Sequence, residues 1–85
     1  MAEAGRGRKE VIEALNEDIK AFIEIVSEEI SLMRHEANSL SGDWDDEKYQ
    51  EFLAYIEALS ASLSSDLNSL EEVRSHLTVI LDKMN

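Results

Sequence analysis

Apolar residues recur along this chain at alternating steps of three and four, the spacing of one face of an α-helix. The first run reads Ile12, Leu15, Ile19, Phe22, Val26, Ile30, Met33, Ala37 and Leu40. Its alternation is coiled-coil-like, with one stutter where two four-residue steps adjoin at Val26. Val11, Ile23, Ile25 and Leu32 fall beside this stripe and widen the apolar face beyond what one neighbouring helix covers. The second run reads Tyr49, Phe52, Ile56, Leu59, Leu63, Leu70, Val73, Leu77, Ile80 and Met84. Strict alternation would place Asp66 on it, so Leu67 is expected to turn inward or Asp66 to face water. Leu53, Leu67 and Leu81 form a flanking row. The leucine period continues through Ser60, Ser62, Ser64 and Ser65, which reads as close helix approach rather than a linker.

The two runs predict helices over about 9–39 and 45–84. Between them lies Leu40-Ser41-Gly42-Asp43-Trp44-Asp45-Asp46, which holds the only tryptophan and the only interior glycine. Gly42 suits the left-handed residue that ends a helix. Asp43 is the expected N-cap of the second helix, with Asp45, Asp46 and Glu47 in its first turn, at the positive end of the helix dipole. A turn over 40–44 is short, so the helices should be antiparallel neighbours. Residues 1–8, with Gly5 and Gly7, read as a flexible tail. The expected fold is all-α: an antiparallel two-helix hairpin.

A lone hairpin buries one seam and leaves the other flank of each apolar face wet. Ordering each residue costs on the order of 1.5 kcal/mol, which one seam offsets poorly. The expected solution is dimerisation into a four-helix bundle. Its core and interface would comprise Ile19, Phe22, Val26, Ile30, Phe52, Ile56, Leu59, Leu63 and Leu70.

Charge narrows the function further. The 85 residues carry a net charge of −11. Residues 1–9 hold Arg6, Arg8 and Lys9 against Glu3, and the remainder holds 5 basic and 18 acidic residues. Such a body repels phosphate backbones, so nucleic acid is not an expected partner. No apolar run approaches the roughly 20 residues of a membrane span, and no apolar signal-peptide segment follows the N-terminal cations. Membrane insertion is therefore not expected. The chain is expected in the cytoplasm, or exported without a cleaved signal.

Candidate chemistry is sparse. There is no cysteine for a disulfide or thiolate site. Di-iron bundles use Glu-x-x-His, yet Leu32 precedes His35 and Val73 precedes His76 at that spacing. Glu72 and His76 form an i,i+4 surface pair. Glu28, Glu29, Glu71 and Glu72 read as solvated faces. No glycine-rich phosphate loop, EF-hand loop or matched nucleophile and base is present. No catalytic, cofactor or metal site is expected, and the protein is not expected to be an enzyme.

The midpoint turn carries a resemblance. Two helices of this length around Gly42-Asp43-Trp44, with Phe52 eight residues after the tryptophan, resemble the WXG100 (ESAT-6-like) proteins of type VII secretion over almost the whole chain. Trp44-Asp45-Asp46 has aspartate where the family motif has glycine, so the chain looks like a Trp-x-Asp variant. The resemblance implies a homodimeric or heterodimeric four-helix bundle, exported itself or acting as helper for a larger secreted effector. Partners would be a second copy or a related hairpin protein, and Trp44 and Asp46 would form an exposed partner or export determinant. The family's Tyr-x-x-x-Asp/Glu export signal has no match here: Tyr49 and Tyr55 are followed at the fourth position by Leu53 and Leu59. The resemblance thus implies that a partner supplies it. Two other readings follow from the residues alone: a cytoplasmic helical-hairpin adaptor or coiled-coil subunit, and an acidic immunity-type inhibitor of a basic target.

Overall fold

The computed structural model describes residues 7–40 and 46–84. Two helices fill them, α1 over Arg8–Ser39 and α2 over Glu47–Met84, and they pack along each other with no strand among the described residues. Arg34 meets Glu57, and Asn16 meets Arg74. Residue numbers rise along one helix as they fall along the other, so the pair is antiparallel. The result is a thin slab, 59 × 23 × 17 Å, with a radius of gyration of 19.1 Å. A compact domain of this length would have about 12 Å.

The ends of the helices show why they begin and stop where they do. At Gly7 the backbone is extended, and Glu10 Oε1 accepts a hydrogen bond from its N–H at 3.2 Å. Glu10 thereby satisfies a donor just before the first turn, and its charge favours the helix N-terminus. The start of α2 is capped by Asp46. Asp46 Oδ1 accepts from the Tyr49 N–H at 2.9 Å, and the Asp46 carbonyl accepts from the Gln50 N–H at 3.1 Å. A short carboxylate three residues ahead of an orphan N–H is a favourable cap, so the helix starts two residues later than expected. Gly42, Asp43 and Asp45 lie outside the described residues, as does residues 1–6 of the expected tail.

The seam between the helices follows a heptad without interruption. In α1 it runs through Ile12, Asn16, Ile19, Ile23, Val26, Ile30, Met33 and Ala37. In α2 it runs through Tyr49, Leu53, Ile56, Ser60, Leu63, Leu67, Leu70, Arg74, Leu77 and Leu81. All of these are buried or half-buried. This corrects the stripe read from the sequence. Ile23 and Asn16 take the seam positions expected of Phe22 and Leu15, and no stutter remains. In α2 the row of Leu53, Leu67 and Leu81 is the seam itself, completed by Ser60 and Arg74. Leu67 does turn inward, at 8% exposure, while Asp66 is exposed. This register leaves Glu13, Lys20, Arg34 and Glu71 exposed and Glu57 half-buried. A seam through Leu15 and Phe22 would rotate α1 and bring Glu29 and Glu36 toward its partner.

Polar groups mark three levels of the seam. At the turn end Tyr49 is 2% exposed, and its hydroxyl donates to the carbonyls of Ala37 (3.2 Å) and Asn38 (3.4 Å). Those carbonyls belong to the last turn of α1, where the Leu40 N–H also reaches them. At the open end Arg74 Nε donates to Asn16 Oδ1 at 2.9 Å, while its Nη1 meets Glu71 Oε1 at 3.0 Å. Such a polar layer fixes register because a slip would strand both groups. Midway, Ser60 is 4% exposed and its hydroxyl has no hydrogen-bond partner.

Candidate interaction face

Assigning the seam to heptad positions a and d separates the hairpin into two unlike flanks. Position e follows d in the sequence and lies beside a, whereas g precedes a and lies beside d. In an antiparallel pair e faces e and g faces g. The e flank is polar: Arg34 and Glu57 form a two-pronged ion pair there, Nε to Oε1 at 3.1 Å and Nη2 to Oε2 at 2.9 Å. The hydrogen bond to Glu57, and then its charge, hold the Arg34 guanidinium above its ordinary pKa. Both partners remain solvated, so the pair orients the flank more than it stabilises it.

The g flank is apolar. Leu15 and Phe22 occupy g in α1, while Phe52, Leu59, Val73 and Ile80 occupy it in α2. Position c lies beyond g and carries Val11, Ile25 and Leu32 in α1 and Tyr55 in α2. Among the described residues thirteen large apolar side chains are exposed, and all but Val79 fall at c, g or the terminal d positions Leu40 and Met84. None falls on the e flank. Scattered exposed apolar residues are ordinary on any protein, but a segregated set is not.

Two adjoining depressions run along this flank. One, of about 480 Å³, is lined by Leu32, Met33, Ala37, Leu40, Phe52 and Ile56, with Glu29 and Glu36 beside them. The next is lined by Val26, Glu29, Ile30, Met33 and Leu63. They share Glu29 and Met33, so together they make one shallow groove along the turn half of the hairpin.

The residues expected in a bundle core divide across this geometry. Ile30 is buried at position a. Ile19, Val26, Ile56, Leu63 and Leu70 sit at d, half-buried, and border the apolar flank. Phe22, Phe52 and Leu59 stand exposed on it, at 53%, 37% and 40%. Asp46 is exposed and also caps α2. Trp44 lies outside the described residues. The sequence reading missed the linking role of Tyr49 and the polar seam positions Asn16, Ser60 and Arg74. The signal for Tyr49 was a hydroxyl-bearing aromatic in the first turn after a helix break, where the terminal carbonyls of the preceding helix are in reach.

Among the described residues, no group of three or more His, Asp or Glu is placed to hold a metal, and no helix is long and apolar enough to cross a membrane. Comparison of the chain with family models, with curated proteins and with solved structures gave no match.

Proposed function

We propose that this chain is a protein-binding hairpin that completes a four-helix bundle by laying its apolar flank against another helical hairpin, in the service of a type VII-like secretion system. It is either exported in that bundle or acts as helper for a larger secreted effector. The observation that carries the binding role is the segregation of exposed apolar side chains to one flank. Area supports it: the chain exposes 6407 Å². A compact monomer of its mass would expose about 5,100 Å². The difference of about 1,300 Å² exceeds the roughly 800 Å² that each partner buries in a standard interface. Position d supports it too, since Ile19, Val26, Ile56, Leu63 and Leu70 are only half covered by the seam. The secretion role rests on the resemblance of the Gly42-Asp43-Trp44 turn and Phe52 to the WXG100 pattern.

The test is export from the source cells, read by immunoblot of culture medium for the chain and for whatever protein co-purifies with it stoichiometrically. Trp44→Ala should hold both inside the cell while the melting temperature of the hairpin is unchanged. Equal export of wild type and variant would refute the secretion role. Loss of the co-purifying protein on Phe22→Asp, with helicity retained, would leave the binding role standing by itself.

A further inference from the structure

Away from the helix ends the g row of this flank is interrupted only by acids, while c of α2 also carries Ser62, Ser69 and His76. Glu29 and Glu36 occupy g in α1, Asp18 occupies c, and Asp66 occupies g in α2. By the register that pairs Asn16 with Arg74, Asp66 is level with the middle of α1. No ion pair or side-chain hydrogen bond engages the carboxylates of Glu29, Glu36 or Asp66 among the described residues. The cations of the hairpin are elsewhere: Arg34 is committed to Glu57 on the opposite flank, and Arg74 to the seam. Those that share the apolar flank, Arg8, Lys48 and Lys83, sit within one or two residues of a helix end.

A carboxylate enclosed at a helix interface without a cation is costly, by several kcal/mol per ion. Any contact between two copies obeys two-fold symmetry, so each residue meets only what this same flank offers. With turns together, the two-fold sets unlike helices face to face, so Glu29 and Glu36 meet Leu59 and Phe52, and only Glu36 nears a lysine. With turns at opposite ends, the mid-length Asp66 approaches its own copy. Two chains of −11 also repel each other as wholes.

Resting on the bundle reading above, we infer that the occupant of this flank is a different chain: a helical partner whose apolar stripe carries lysine or arginine opposite Glu29, Glu36 and Asp66. The acids then both select the partner and disfavour self-pairing, as charges at flanking positions do in coiled coils. Aliphatic stems of the partner's cations would cover the groove beside Leu32 and Phe52 while their heads reach the carboxylates.

The chain itself supplies the probe. Glu29→Lys/Glu36→Lys/Asp66→Lys keeps the apolar flank and reverses its charge. Sedimentation equilibrium would be run on wild type, on this variant and on their equimolar mixture, at low and high salt, with helicity followed by circular dichroism. The mixture should form a 1:1 pair at least about tenfold tighter than wild type pairs with itself, and added salt should erase the difference. Wild type pairing with itself as tightly as in the mixture would make a second copy the occupant and overturn the inference, while leaving the bundle reading intact. Absence of any association, with both chains helical, would overturn it as well. Should the lysine variant not fold, the neutral Glu29→Gln/Glu36→Gln/Asp66→Asn decides. It should self-associate more tightly than wild type at low salt, and an unchanged mass would refute the role of the acids.

Discussion

Replacing Ser60 by alanine should stabilise this protein. Ser60 occupies position a at mid-seam, is 4% exposed, and its hydroxyl has no partner. Burying an unpaired hydroxyl costs about 1–3 kcal/mol by mutational measure. Alanine removes that penalty and leaves a void of a single oxygen, so little packing is lost. It is also the better helix former, by up to a few tenths of a kcal/mol. The expected gain is about 1–2 kcal/mol. In a domain of this size each kcal/mol moves the melting temperature by about 4–8 °C, so a rise of roughly 5–15 °C should appear. Thermal and urea denaturation, followed by helical circular dichroism at several protein concentrations, would measure it. The urea slope should be unchanged, because the surface exposed on unfolding is the same. A variant no more stable than wild type would mean that the hydroxyl has a partner in solution, and the account of the mid-seam would fall.

Tyr49→Phe should cost about 1 kcal/mol, because the hydroxyl's hydrogen bond to the carbonyls at the end of α1 is lost while the Leu40 N–H still reaches them. Hydrogen exchange should show that the loss is concentrated in the last turn of α1 and the first of α2; uniform loosening would count against the link. Asp46→Ala should cost about 1 kcal/mol and Asp46→Ser almost nothing, since serine caps equally well. If serine also abolished binding or export while stability held, Asp46 would have a recognition role beyond its cap.

The all-helical architecture of two helices packed on each other was legible in the alternation of apolar residues. Which face forms the seam was not. Apolar residues recur at a, d and g in both helices, so two 3–4 stripes share position d and diverge at their other member. The stripe traced through Tyr49, Phe52, Ile56 and Leu59 is the d and g stripe, whose g members Phe52 and Leu59 look outward. The true seam carries Asn16, Ser60 and Arg74, and those polar residues hide it from a search for continuous hydrophobicity. Periodicity measures how wide an apolar face is; the partner on each side decides how that face is divided. The outward row was therefore readable as interaction surface, and its four acids were readable as charge. Only the hairpin register places the two on one flank.

The same division provides the sharpest test. Ile30 at position a is 7% exposed, while Phe22 at position g is 53% exposed. Both lie inside α1, so aspartate carries the same intrinsic helix cost at each. Urea denaturation of the isolated Ile30→Asp and Phe22→Asp chains would separate seam from open flank. Ile30→Asp should lose at least about 3 kcal/mol, through lost packing and a buried charge, and unfold or nearly so. Phe22→Asp should stay within about 1 kcal/mol of wild type. Equal and large losses at both positions would contradict the account, since Phe22 would then be covered in the isolated chain and the flank would not be free to bind.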